Sequence, residues 1–184
     1  MKRRDFLLHS AGMGVVISSS WANRLAAMSP DQLADLPQGG GLNRQQWQTI
    51  AAVQEHLFPT EDAAPGAADI HATHYLHFVL LDQTLDLDGR QFIIDGMAKL
   101  QVFTREKFGK SFIQLKEAQK EADLRAFEAE STGRKWITEI LGYIFEALLT
   151  DPVYGGNLDA AGWKWLDHRP GFPRPPANKR YFLL

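Results

Sequence analysis

Three histidines, His71, His74 and His77, recur at intervals of three residues, a spacing that invites metal binding through imidazole nitrogens. Each such step advances about 300° around a helix, so only neighbouring pairs share a face. Asp69 is the one nearby carboxylate spaced to complete a site. The pattern therefore predicts surface or capping histidines, with a metal or small ligand held by His71, His74, His77 or His168 as the alternative. The carboxylate pairs Glu61-Asp62, Asp86-Asp88 and Glu128-Glu130 have the spacing of solvated loops and helix surfaces, and Lys116-Glu117, Lys120-Glu121 and Asp123 read as a solvated helix face. There is no Gly-x-Ser-x-Gly elbow, no His-Glu-x-x-His, no Gly-x-Gly-x-x-Gly after a strand and no cysteine nucleophile. No catalytic, cofactor-binding or metal-binding residue is expected on this chain.

Chemistry of another kind is written at the start of the chain. Lys2-Arg3-Arg4-Asp5-Phe6-Leu7 leads into a weakly apolar run from Leu8 to Ala22. Arg3, Arg4, Phe6 and Leu7 stand where a twin-arginine export signal places them, and such a signal delivers folded cargo to its translocase. Gly12, Gly14 and Ser18 to Ser20 make the run less greasy than a general secretory signal. It is also short for a membrane span, which takes about 20 apolar residues. Ser20-Trp21-Ala22 offers a cleavage site after Ala22. The expected destination is the periplasm, with partners linking the protein to the inner membrane.

The chain has 184 residues, 45% of them hydrophobic and 11% aromatic, enough for one packed domain. Its formal charge is -2, and removing residues 1–22 leaves 17 basic and 21 acidic residues, a charge of -4. No basic patch is expected to survive, which makes the surface a poor match for nucleic acid. With no cysteine, the chain has no disulfide, thiolate zinc site, iron–sulfur cluster or covalently attached c-type haem of its own.

The elements that must position any site read as helices. Residues 1–22 are the signal and 23–41 a linker with two prolines and a triple glycine, expected to be mobile; 42–184 form the domain. Asn43 and Gln46 predict a capping box for a helix carrying Trp47, Ile50 and Leu57 up to a stop at Pro59. Asp69 is expected to cap a second helix with Leu76 to Leu81. A third spans about Asp88 to Phe108 with Gly109 as its cap, and a fourth Lys116 to Glu130, ended by Ser131-Thr132-Gly133. The fifth, Arg134 to Thr150, has the strongest periodicity, through Trp136, Ile137, Ile140, Leu141, Ile144, Phe145 and Leu148, and should be the central core helix. No stretch shows sustained strand alternation. The expectation is an all-α bundle of about five helices, one short helix near Ala160 to Leu166, and an extended Pro-rich tail through Pro170-Gly171-Phe172-Pro173.

From about residue 151 the chain reads Asp151-Pro-Val-Tyr-Gly-Gly-Asn157, then Gly162-Trp-Lys-Trp-Leu166, His168 and Pro170-Gly171-Phe172. Tandem glycines permit close backbone approach and Asn157 tolerates a left-handed conformation. The loop is thus either a tight turn that ends the core helix or a binding surface. Trp163, Trp165 and Phe172 are large enough to anchor an interface, or to pack on the bundle.

With the signal, the Asn43-Arg-Gln-Gln-Trp47 opening, the Phe58-Pro59 stop, the Ala64-Pro65-Gly66-Ala67 loop and the passage from Phe145 to Asn157, this segment resembles the small (gamma) subunit, or subunit 3, of gluconate 2-dehydrogenase and related periplasmic sugar dehydrogenases. The resemblance implies a non-catalytic subunit that binds an FAD-dependent large subunit of the glucose-methanol-choline type. A separate multihaem cytochrome c, carrying haem c, would pass on the electrons. It implies further that the large subunit has no export signal, and crosses the membrane on the twin-arginine signal of the small one after folding around FAD. Tyr154, Gly155, Gly156, Asn157, Trp163, Trp165, His168 and Phe172 are then the partner-binding residues.

Overall fold

A computed structural model describes residues 36–82 and 87–176. Residues 1–35, with the signal at Arg3, Arg4, Phe6 and Leu7 and the cleavage site after Ala22, lie outside the described residues, as do 83–86 and 177–184. Within them the chain is all-helical, with six α-helices: α1 Arg44–Leu57, α2 Ala72–Leu81, α3 Leu87–Phe108, α4 Glu117–Ala129, α5 Ser131–Leu149 and α6 Ala161–Leu166. None of these helices is long and apolar enough to cross a membrane.

The capping box that opens α1 forms as the sequence predicts: Gln46 N–H donates to Asn43 Oδ1 at 3.0 Å and Asn43 N–H to Gln46 Oε1 at 2.9 Å. Trp47, Ile50 and Val53 point inward and are fully buried. The helix closes at Phe58, whose N–H reaches Gln54 O, just before Pro59.

Residues 36–41, expected to belong to a mobile linker, are packed on the bundle. Gly39, Gly40 and Gly41 all have positive φ, which lets the backbone turn tightly enough for Gly39 O to accept the indole N–H of Trp47 at 3.0 Å. Leu36 and Leu42 are buried on either side. The glycines that suggested flexibility are the residues that permit this close approach.

Asp69 does not cap α2. Its carboxylate accepts from Gly66 N–H and Thr60 Oγ1, both at 2.7 Å, while Glu55 of α1 accepts from Thr60 N–H and Ala68 N–H. The two acids thus satisfy the loop between α1 and α2, and the residue before α2 is His71 in the left-handed region.

Gly109 caps α3 as expected, at φ +65° with its N–H on Arg105 O. Ser131-Thr132-Gly133, by contrast, opens α5 instead of ending α4. The break is Glu130 alone, at ψ 139°, and Gly133 lies so close to α4 that a Cβ there would stand 1.9 Å from Phe127 O. Helix α5 packs on α1, α2, α3, α4 and α6 and buries Trp136, Ile140, Ile144 and Ala147 completely, which makes it the centre of the core. At Gly96 of α3, Trp136 fills the space of a side chain and donates its indole N–H to Ile93 O at 3.0 Å.

The supposed solvated face of α4 is half interior. Lys120 is 3% exposed, its ammonium on Glu117 at 2.8 Å, and Asp123 is fully buried against Thr104 of α3. His56 of α1 inserts between Glu117 and Glu121, with Nε2 2.7 Å from Glu121 Oε2. Polar periodicity conceals this burial, because long stems and paired charges can enter an interface that apolar counting assigns to water.

Candidate functional site

Beyond α5 the chain makes two 3-10 turns, Pro152–Tyr154 and Leu158–Ala160, before α6. Five non-glycine residues with positive φ occur among the described residues, and four of them, Asn157, Asp159, Ala160 and Asp167, fall in this short stretch. Left-handed backbone costs an L-residue about 1–2 kcal/mol, so such a concentration persists only where surrounding contacts hold it.

Asn157 supplies those contacts. Fully buried, it donates its N–H to Ile70 O at 2.7 Å and its side-chain Nδ2–H to Thr150 O at 2.9 Å, and its Oδ1 accepts from Gly162 N–H at 2.8 Å. One residue therefore joins the turn before α2, the end of α5 and the start of α6. The glycines around it serve close packing. A Cβ at Gly156 would stand 2.9 Å from Ala147 O, and one at Gly162 only 2.1 Å from Leu148 O. Gly155 has φ +88° and closes the first 3-10 turn. Tyr154 lies with its ring 5.7 Å from Phe78 of α2.

Trp163 is 6% exposed and donates its indole N–H to Leu149 O at 2.8 Å, tying α6 to the last turn of α5. His168 returns its backbone N–H to Trp163 O, and its ring sits 5.7 Å from the indole. Arg174 covers Trp163 at 5.2 Å and forms a two-pronged pair with Asp151, Nε to Oδ2 at 2.8 Å and Nη2 to Oδ1 at 3.0 Å. Hydrogen bonding from Arg174 holds the Asp151 carboxyl below its ordinary range, against the opposing effect of burial.

The residues singled out in the sequence thus divide into two groups. Tyr154, Gly155, Gly156, Asn157 and Trp163 form a latch that fixes the C-terminal segment to the bundle. Trp165, His168 and Phe172 face outward, and Phe172 is 88% exposed. Leu149, Leu158 and Leu166 add exposed apolar surface on the same part of the chain. Sequence reasoning missed the Asp151–Arg174 clamp, for which an isolated arginine in a proline-rich run was the available signal.

The histidine series does not converge. His71 and His74 stack with ring centroids 4.7 Å apart, whereas His77 turns to Trp47 and bonds Gln38 O. Among the described residues no group of three or more His, Asp or Glu side chains is arranged to hold a metal ion. An open hollow of about 400 Å³ along α3 is lined by Val102, Phe103, Glu106, Phe127 and Glu130, and includes no residue of the C-terminal segment or the histidine series.

The model of the family described as gluconate 2-dehydrogenase subunit 3 matches residues 44–171, from the first residue of α1 through the latch. No curated protein and no solved structure matches the chain. With the matched region covering well over half of the sequence and all six helices, the chain belongs to the gluconate 2-dehydrogenase subunit 3 family.

Proposed function

We propose that this chain is the non-catalytic small subunit of a periplasmic FAD-dependent dehydrogenase, which grips the flavoprotein large subunit with its C-terminal segment and carries it through the twin-arginine translocase. Family membership over residues 44–171 carries the reading, since it makes the chain an accessory subunit of a dehydrogenase complex. The signal-like run at Arg3-Arg4-Asp5-Phe6-Leu7 supports export of folded cargo, and a small helical domain without cysteine gives little reason of its own for that route.

The latch supports the division of labour. It spends its hydrogen bonds on holding α6 and the segment after it to the bundle, while Trp165 stays partly and Leu166 and Phe172 largely exposed. Large exposed side chains on a fixed scaffold suit an interface whose anchors are ordered before binding. FAD belongs to the large subunit in this reading, and haem c to a cytochrome subunit; the oxidation of a gluconate- or glucose-type substrate takes place there.

Co-expression with the large flavoprotein subunit followed by affinity purification through this chain tests the grip. The expected result is a stoichiometric complex bearing FAD absorbance. A purified chain that never retains the flavoprotein would refute the reading.

A further inference from the structure

Glycine inside a helix is spent on close packing at Gly96, Gly133 and Gly162, where a Cβ would stand 1.9 Å from Trp136 Cδ1, 1.9 Å from Phe127 O and 2.1 Å from Leu148 O. Gly142 differs from all three. It occupies the middle of α5, is exposed, and a Cβ built there meets nothing within 4 Å. Glycine in a helix interior lowers stability relative to alanine, so the fold of this chain gains nothing from the missing side chain.

Neighbours of position 142 on the helix surface lie three and four residues away, at Thr138, Glu139, Phe145 and Glu146. Two of the polar ones are engaged already: Thr138 donates to Arg134 O at 2.9 Å, and Glu146 accepts from the Tyr75 hydroxyl at 3.0 Å. Leu141, Tyr143 and Phe145 beside the gap are half-buried, and Leu149, about 10 Å further along the same face, is 54% exposed. The result is a shallow notch with apolar flanks. It lies on the helix to which the C-terminal segment is tied, since Leu149 O holds the Trp163 indole.

A stable interface takes about 20–30 residues from each side. Residues 161–176, comprising α6 and the strap, expose 11, so the grip must continue onto the bundle to reach that size. Resting on the flavoprotein-binding reading above, we infer that the interface runs from the C-terminal segment along α5, and that a helix of the large subunit crosses α5 at Gly142. Ridges of side chains on one helix seat in the gaps of another, and a missing side chain brings the axes to the near end of the usual separation of about 8–10 Å.

Gly142→Ala and Gly142→Leu in the full-length chain, assayed for affinity to the purified flavoprotein by surface plasmon resonance and for thermal midpoint alone, test this. Gly142→Ala should raise the midpoint by about 2–4 °C while weakening the complex about tenfold, chiefly through faster dissociation, and Gly142→Leu should weaken it further. Wild-type affinity in both variants overturns the inference and leaves the grip standing. A lowered midpoint in Gly142→Ala also overturns it, because the glycine would then serve the fold. Failure of the wild-type chain to bind the flavoprotein overturns both readings. A dimer of the chain alone in sedimentation, dispersed by Gly142→Leu with flavoprotein binding unchanged, assigns the notch to a second copy and likewise overturns the inference.

Discussion

Arg174 holds Asp151 through two hydrogen bonds, of 2.8 and 3.0 Å, across an interval of 23 residues, and is the side-chain tie between the strap and the end of α5. Asp151→Asn should release the strap without unfolding the bundle. Backbone order parameters at Gly171, Phe172 and Arg174 are expected to fall while the thermal midpoint moves little, as befits a pair at the surface. Because the folded-state pKa of Asp151 is depressed, the contribution of this pair is present above the unfolded pKa and is lost as pH falls through the folded value. The order parameters of the strap should therefore also fall in acid. Unchanged order parameters in the variant would show that other contacts hold the strap.

Asn157 is a stability hot spot. Its replacement by Ala removes two side-chain hydrogen bonds and leaves Gly162 N–H and Thr150 O without that partner, at a cost of about 2–4 kcal/mol. Asn157→Gly keeps the left-handed backbone easy and isolates the side-chain contribution. Urea denaturation should rank both variants well below wild type, with Gly the milder; equal stability of all three would contradict the latch.

At Gly96 a single methyl group is predicted to separate two helices. A Cβ there would lie 1.9 Å from Trp136 Cδ1, so Gly96→Ala should destabilise by about 2 kcal/mol or more despite the better helix propensity of alanine. Near-ultraviolet circular dichroism should report altered packing of Trp136. A stabilised variant would mean that α3 and α5 can move apart freely.

Asp123 and Thr104 make the pH dependence of the core specific. Thr104 has one hydroxyl proton and two acceptors in reach, Leu100 O at 2.8 Å and Asp123 Oδ2 at 2.6 Å. The hydroxyl proton serves only one of them at a time, and Asp123 Oδ1 is buried with no hydrogen-bond partner among the described residues. Burial raises the Asp123 pKa, with the Thr104 hydrogen bond and the charge of Lys107 opposing. For a raised carboxyl the stabilising contribution is full below the unfolded pKa, about 4, and is lost as pH rises through the folded value. Asp123→Asn should therefore gain stability relative to wild type as pH rises from acid to neutral. A difference that stays constant with pH would contradict a raised Asp123 pKa.

Much of the fold was legible because it rests on repetition. Trp136, Ile140 and Ile144 recur at helical spacing and lie in the core, and Asn43 with Gln46 or Gly109 mark helix ends through local hydrogen bonds that neighbours in sequence can supply. What escaped reading depends on groups distant in sequence. Asp123 meets Thr104, 19 residues away, and Glu121 meets His56, 65 residues away, while Asp69 is drawn to Thr60 in place of the helix after it. The same holds for the site. Tyr154 to Asn157 and Trp163 stood out as a motif, but their use as a latch depends on Ile70 O, Leu149 O and Arg174, none of which the motif contains.

The central claim is that this subunit escorts a flavoprotein out of the cytoplasm, and periplasmic dehydrogenase activity after Arg3→Lys/Arg4→Lys in the co-expressed pair measures it most directly. The account predicts that activity disappears from the periplasm while FAD-loaded large subunit accumulates in the cytoplasm. Normal periplasmic activity in the variant would contradict it.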